Sequence, residues 1–202
     1  MAETMVFARY YLAAFFGVVA AFYTFRVIYI KHKIKNEVVF PGKRYCATWF
    51  NHMAFRFFRA LIFSVCVLRA LFPSIDQYLG LMSWLQSYTT IVLGMIMLTV
   101  SFAVVAAMHL KMGTQWRSGI DIEGPKQIVS DGLYQFTRHP MFLFVGVAQL
   151  GFFFAMPSIF SLLCLVVGWW ALSRQASAEE KHLLQRFSTQ YYEYSVTVRK
   201  WI

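Results

Sequence analysis

The sequence predicts an all-α membrane protein with about five transmembrane helices, a C-terminal helical hairpin and a cytoplasmic amphipathic tail helix. Hydrophobic residues make up 59% of the 202 residues and charged residues only 14%, whereas soluble domains are roughly half apolar and about a quarter charged. The mean hydropathy of +0.53 points the same way. The apolar residues also fall into long runs, so we expect residues 1–202 to form a single membrane domain.

The first half of that domain, residues 1–108, contains three of the predicted spans. Residues 7–30, 54–72 and 89–108 are apolar runs, and each has about the 20 helical residues that cross a hydrocarbon core. The second run is unusual because it contains three arginines. They lie near its two ends, where long basic side chains can extend to the lipid headgroups. These arginines are Arg56, Arg59 and Arg69.

The second half, residues 109–202, begins with a polar stretch that predicts a structured loop and continues with the hairpin. Residues 140–171 contain no charged residue. A single helix of that length would be about 48 Å long, which exceeds a hydrocarbon core of about 30 Å. Pro157 lies in the middle, and proline interrupts helices, so two helices of roughly 16 residues are predicted. Apolar side chains recur at helical spacing in the polar tail after Ser173, which predicts the amphipathic helix.

The basic residues predict the orientation of the chain. Seven Lys and Arg residues lie in 31–59, none in 73–88, four in 109–138 and five in 173–202. By the positive-inside rule, the N-terminus is then outside, and the C-terminus is cytoplasmic. The net charge of +10 is explained by this distribution and by attraction to anionic headgroups. We therefore expect a membrane and a lipid as partners, and no nucleic acid.

Two polar clusters flank the predicted hairpin. They are Arg138-His139-Pro140 before it, and Arg174, Glu179 and Glu180 after it. Each residue has an ordinary explanation, since proline is common in a first helical turn, arginine is common at membrane boundaries, and Ser177 with Glu180 fits a capping box. A tight hairpin would nevertheless bring both clusters into one cytoplasmic site. Such a site suits a zwitterion, with its carboxylate on the arginine and its cationic or hydroxyl groups on the glutamates.

The motifs themselves resemble a known superfamily. Gly132-x-Tyr134-x-x-x-Arg138-His139-Pro140, an apolar hairpin, Glu179-Glu180 and Tyr191-x-x-Tyr194 together are similar to the isoprenylcysteine carboxyl methyltransferases and phospholipid methyltransferases. The resemblance covers roughly residues 109–202. It implies an integral membrane enzyme that transfers a methyl group from S-adenosylmethionine to a lipid or lipid-linked acceptor, either an isoprenylcysteine carboxylate or a phospholipid amine.

The resemblance also implies roles for individual residues. The cofactor-binding set would be Tyr134, Arg138, His139, Pro140, Glu179 and Glu180. An amine acceptor must lose a proton, so we expect His139 or Glu180 to act as the catalytic base. On the substrate side we expect Trp116, Arg117 and Arg174. This chain departs from the family pattern at Phe142 and Phe144, where many members have tyrosine and glycine. No metal site is expected, because the histidines and cysteines are dispersed.

Two other functions remain open from the sequence. Some membrane sterol reductases resemble this superfamily in their C-terminal half and bind NADPH, but a 2′-phosphate favours clustered arginines, and the loop of residues 109–138 offers only Arg117 and Arg138. A non-catalytic membrane protein would use the polar clusters as topology anchors. It would bind no methyl donor before or after substitution of Arg138 or Glu180.

Overall fold

The computed structural model describes residues 2–202 and contains five long helices, in agreement with the prediction of an all-α membrane protein. The helices are α1 (Ala2–Ile34), α2 (Ala47–Leu71), α3 (Tyr88–Met112), α4 (Pro140–Ala155) and α5 (Ile159–Thr197). The strands β1 (Val39–Phe40) and β2 (Ser118–Gly119) form a short parallel pair. By length and composition, α1, α3 and α5 could each cross a membrane, and α4 is a shorter apolar helix of 16 residues. The number of spans therefore stays a prediction for α2 and α4.

The helical hairpin turns at the predicted place. Helix α4 ends at Ala155, and α5 begins at Ile159 after the Met156-Pro157-Ser158 segment. Ser158 caps α5, because its hydroxyl accepts a hydrogen bond from the backbone N–H of Ser161 at 3.1 Å. The sequence therefore identified this turn from the proline and the length of the apolar run.

The tail is not a separate helix after the hairpin, which corrects the expected organisation. Helix α5 runs without a break from its apolar part into the polar tail and changes direction only at Ser188, where φ is 32° and ψ is −99°. Ser177 does not act as a helix cap, since its hydroxyl donates to the carbonyl of Ser173 within the helix. The charged side chains of residues 174–197 would be costly in hydrocarbon, so this half of α5 lies outside it.

Helices α3 and α4 pack with their backbones in contact. A Cβ atom added to Gly94 would lie 2.2 Å from the backbone nitrogen of Ala155 and 2.6 Å from the carbonyl oxygen of Gly151. Small residues at such a crossing are a common solution for helices in lipid, where close packing replaces the hydrophobic effect between them. This crossing fixes the position of α4, and therefore of the residues at its N-terminus.

At one end of the bundle, Asp76 joins α1 and α2. Its carboxylate pairs with Arg9 at 2.7 Å and with Arg69 at 2.5 Å. The sequence left the role of Arg69 open, since a side chain near the end of an apolar run can extend to the headgroups. In the structure its side chain is only 6% exposed and is held by the acid that follows α2. Burial of the arginine is possible because its charge is paired.

At the other end, the loop after α3 is structured, as predicted. Trp116 is buried in a small cluster with Ile30 and Val38, and Met141 of α4 packs against that cluster. The pairing of β2 with β1 holds the same loop on the segment that follows α1. These contacts place the polar stretch before α4 firmly against the bundle.

Candidate functional site

Arg138 lies at the centre of the polar cluster and joins three parts of the chain. Its Nε donates to Glu180 Oε1 at 2.8 Å, and one terminal nitrogen donates to the carbonyls of Ser195 and Val198 at 2.6 and 3.0 Å. Its backbone N–H donates to the carbonyl of Arg199 at 2.9 Å. A planar guanidinium can serve several acceptors at fixed angles. Arg138 therefore connects the start of α4, the polar half of α5 and the C-terminal residues.

His139 occupies the residue just before α4 and faces both glutamates. Its Nε2 lies 3.3 Å from Glu180 Oε1, and its Nδ1 lies 3.9 Å from Glu179 Oε2. The ring is only 6% exposed and is stacked parallel to Phe142, with 5.6 Å between ring centroids. Phe142 thus supports the imidazole, although it departs from the tyrosine expected of the family. Pro140 is buried in the first turn of the helix.

The two glutamates have different environments, although they are adjacent. Burial alone would raise the pKa of Glu180, but hydrogen bonds from His139 and Lys200 and the charge of Arg138 outweigh it and lower the pKa to about 2. Burial raises the pKa of Glu179, and a hydrogen bond from Gln175 offsets this only in part. Neighbouring acids whose pKa values diverge are a common basis for divided roles in a site.

Tyr134 borders the same cluster. Its carbonyl accepts a hydrogen bond from the Tyr194 hydroxyl at 2.7 Å. Burial raises the pKa of its phenol well above the ordinary value, and the negative charge of Glu179 adds to the effect. The turn that leads to it depends on Gly132, whose φ of +61° is readily adopted only by glycine. Tyr134, Arg138, His139, Pro140, Glu179 and Glu180 are therefore brought together.

Arg174 is not part of this cluster. It is exposed, and its guanidinium lies 4.9 Å from the ring centroid of Trp170. The reason is the continuous helix α5. At about 100° per residue, position 174 faces roughly 140° away from Glu179 and roughly 120° away from Glu180. The sequence interpretation treated the tail as a separate helix, and so it did not fix these directions.

The other two residues expected on the substrate side lie in the loop after α3. Trp116 packs against His109, with 4.5 Å between ring centroids. Arg117 donates to the carbonyls of Thr114 and Trp116 and lies 3.5 Å from the carboxylate of Asp121. Within residues 2–202, no hydrogen bond or ion pair joins either side chain to the cluster around Arg138. Met141 of α4 packs against the cluster that contains Trp116.

Two residues of this cluster were not predicted. Lys200 Nζ lies 3.2 Å from Glu180 Oε2, and the Trp201 ring lies 5.8 Å from that of His139. Near a chain end, a lysine and a tryptophan are typical of an interfacial anchor, so the sequence gave no specific signal for them. Helix α5 changes direction at Ser188 and ends at Thr197 before these residues return to the start of α4.

Comparison with known proteins identifies the class of the protein. The family model of phospholipid methyltransferases matches residues 89–190, which is just over half of the chain. The match begins in α3 and includes Arg138, His139 and both glutamates. Searches of the curated proteins and of the solved structures gave no significant match.

The protein is therefore a membrane methyltransferase that acts on lipids. More closely, the chain belongs to the phospholipid methyltransferase family. This confirms the superfamily that its motifs resemble.

Proposed function

We propose that the protein transfers a methyl group from S-adenosylmethionine to a phospholipid amine. Residues 109–202 would then form the cofactor-binding part of the membrane domain. The observation that carries the proposal is the cluster in which Arg138 and His139 both contact Glu180 Oε1, at 2.8 and 3.3 Å. It lies in the region matched by the family model, and its residues are those that the family motifs assign to the cofactor.

The chemical groups around this cluster fit S-adenosylmethionine, which is a zwitterion with an additional cationic sulfur. The N-terminus of α4 provides partial positive charge and unpaired backbone N–H groups for a carboxylate. Within residues 2–202, no hydrogen bond reaches Glu179 Oε2, and the His139 ring lies 3.9 Å from it, so it can receive an ammonium or ribose hydroxyl. The Trp201 ring lies 5.8 Å from that of His139 and 5.9 Å from that of Trp169, and aromatic faces attract cations.

When bound, S-adenosylmethionine supplies an activated methyl group for an in-line displacement. The protein aligns the acceptor and excludes water, and such alignment accounts for much of the rate in reactions of this kind. An amine acceptor must also lose a proton. Glu180 is a poor base near neutral pH because its pKa is lowered to about 2. We propose that His139 accepts the proton and that ionised Glu180 orients its ring.

The three residues expected on the substrate side have supporting roles in this proposal. We propose that Trp116 supports the start of α4 through Met141, that Arg117 holds the loop through Asp121, and that Arg174 with Trp170 anchors α5 at the membrane surface. The alternation of Lys and Arg along the chain supports a site that faces the cytoplasm, with the N-terminus outside. The acceptor amine fits the family better than an isoprenylcysteine carboxylate does, because the matched model describes phospholipid methyltransferases.

Calorimetric titration of the detergent-purified protein with S-adenosylhomocysteine and, separately, with NADPH tests the cofactor. Binding of the first alone supports the proposal, and transfer of a radiolabelled methyl group is then compared between phosphatidylethanolamine vesicles and a prenylated cysteine. Arg138→Ala should abolish binding, whereas Arg174→Ala should not. Binding of NADPH alone would indicate the reductase. Binding of neither by folded protein would leave a non-catalytic membrane protein.

A further inference from the structure

The last five residues lie across the cluster and are held there by their backbone. We refer to residues 198–202 as the C-terminal strap. Arg138 donates to the carbonyls of Val198 and Arg199 at 3.0 and 2.9 Å, and the Thr137 hydroxyl donates to the carbonyl of Lys200 at 2.9 Å. Two consecutive residues just before α4 thus bind three consecutive carbonyls. These hydrogen bonds to the backbone fix residues 198–200 against the segment before α4.

Two side chains of the strap are directed into the cluster. The ammonium of Lys200 lies 3.2 Å from Glu180 Oε2 and donates to the hydroxyl of Ser177 at 2.8 Å. The indole of Trp201 lies 5.9 Å from that of Trp169 and 5.8 Å from the ring of His139. By contrast, Arg199 and Ile202 are exposed, and no ion pair or hydrogen bond within residues 2–202 involves the Arg199 side chain.

We infer that the C-terminal strap forms a wall of the cofactor site, with Lys200 as a positioning residue for Glu180 and Trp201 as the aromatic side of that wall. This inference rests on the proposed function for its ligand, a nucleoside bearing a cationic sulfur. The docking of the strap itself rests only on the contacts described above.

The role of Lys200 follows from how the two carboxylate oxygens of Glu180 are divided among their partners. Oε1 receives Arg138 and His139, and Oε2 receives Lys200. With both oxygens held, the carboxylate has one orientation, and so does the His139 ring that it contacts. Without Lys200, the remaining hydrogen bonds reach only Oε1 of Glu180. The carboxylate can then rotate about its last side-chain bond, because contacts to one oxygen do not define the plane of the group.

The role of Trp201 follows from the chemistry of ring faces. Trp201 lies between His139 and Trp169, and His139 faces both acids. Aromatic rings stack on nucleobases and attract cations, which are the two features that S-adenosylmethionine combines. A flat wall beside a pair of carboxylates therefore recognises this ligand better than a purely anionic pocket would.

Three variants test Lys200. Lys200→Met should weaken binding of S-adenosylhomocysteine about tenfold, as expected for loss of one charge-assisted hydrogen bond, and Lys200→Arg should restore most of it. Arg199→Met is the matched control, since it removes the same charge one residue away, and should bind as the wild type does. The KM for the methyl donor should rise in Lys200→Met while the KM for the lipid stays unchanged. Unchanged or tighter donor binding by Lys200→Met would overturn the positioning role.

Trp201 is tested in the same way, with Ile202→Ala as the control. Trp201→Ala should weaken binding of S-adenosylhomocysteine, and Trp201→Phe should retain most of it because a ring face remains. Equal binding by Trp201→Ala and the wild type would overturn the aromatic wall.

Hydrogen exchange of the ligand-free protein separates this inference from the proposed function. We expect the amide of Arg138 to be protected in the wild type and to exchange faster when residues 198–202 are deleted. If the wild type binds no S-adenosylhomocysteine, the proposed function fails, and the assignment of the wall fails with it. Protection lost on deletion would still show that the strap docks, and unprotected amides in the wild type would contradict docking itself.

Discussion

The Arg138 guanidinium and the Glu180 carboxylate lie 2.8 Å apart, although 42 positions separate them in the sequence. One precedes α4, and the other lies in the polar half of α5. Their contact is therefore the point at which the hairpin closes on its polar side. Because Arg138 also binds two carbonyls near the C-terminus, a lysine at this position cannot reproduce its contacts.

We expect Arg138→Lys to weaken binding of S-adenosylhomocysteine by at least about tenfold, since a single ammonium replaces several directed hydrogen bonds. Calorimetry on the purified variant measures this. Arg174→Lys is the control, because Arg174 lies in α5, faces away from Glu180 and packs against Trp170. Wild-type affinity in Arg138→Lys would show that the charge alone is sufficient, and that the planar geometry of the guanidinium has no role.

The sequence predicted much of this fold because hydrophobic runs and a central proline are local signals. The hairpin turn and the meeting of Arg138 with Glu180 followed from them, and the structured loop followed from the apolar residues within the polar stretch of residues 109–138. The burial of Arg69 did not, because its partner Asp76 is recognised only when the segment after α2 folds back. A basic residue near the end of an apolar run is equally consistent with a side chain that extends to the headgroups.

The candidate site was predicted less completely than the fold. The family motifs contain the residues that converge, but the position of Arg174 depends on α5 remaining one helix. Lys200 and Trp201 enter the cluster only because α5 changes direction at Ser188, which has a positive φ. Serine has no strong preference for that conformation, so tertiary contacts determine it, and the local sequence does not indicate it.

Glu180 should make the protein sensitive to acid. Its pKa is lowered from 4.5 to about 2 in the folded protein, so the unfolded chain binds its proton first as the pH falls. The stabilisation is therefore complete above about pH 4.5 and is lost between there and about pH 2. Glu180→Gln should lower stability near neutral pH by on the order of 2 kcal/mol and reduce this acid dependence.

Thermal unfolding in detergent between pH 7 and pH 3 measures the effect of Glu180. Glu193→Gln is the matched control, because Glu193 is an exposed acid on the same helix. It should unfold as the wild type does at each pH. The same acid dependence in Glu180→Gln and the wild type would contradict the prediction.

Glu179 should release a proton when a cationic ligand binds. Burial raises its pKa above the ordinary value of 4.5, so part of the free protein keeps this proton at mildly acidic pH. A cation beside the carboxylate favours the ionised form and lowers that pKa. Calorimetry of S-adenosylmethionine binding near pH 5, in buffers of different ionisation enthalpy, should detect proton release in the wild type and less in Glu179→Gln. Equal proton release by the wild type and Glu179→Gln would exclude Glu179 as the group that loses the proton.

Gly94 should tolerate no larger side chain, because α3 and α4 touch there. The Cβ of Gly94→Ala would lie 2.2 Å from the backbone nitrogen of Ala155, so the helices must separate. We expect the free energy of unfolding to fall by roughly 2–3 kcal/mol, as for other overpacked sites, and thermal unfolding measures this. Gly17→Ala is the control, since its Cβ would lie 3.9 Å from Phe63. It should be neutral or stabilising by up to about 1 kcal/mol. Equal stability of the two variants would contradict close contact at the crossing.

Asp76 should be the most important acid for stability at the end of the bundle away from the candidate site. Burial alone would raise its pKa, but hydrogen bonds from Arg69 and Arg9 outweigh this and lower it. In Asp76→Asn, two largely buried arginines face each other without a counter-charge. We expect this to lower the free energy of unfolding by about 3 kcal/mol.

Thermal unfolding of Asp76→Asn near neutral pH measures this cost, with Asp131→Asn as the control. Asp131 also forms an ion pair, with Lys111, but both side chains are largely exposed, so its loss should have little effect. The stabilisation from Asp76 is present above the ordinary pKa of 3.8 and is lost as the pH falls below it. The wild type and Asp76→Asn should therefore converge in stability under strongly acidic conditions. Equal stability of the two near pH 7 would show that the arginines find other partners, such as lipid phosphates.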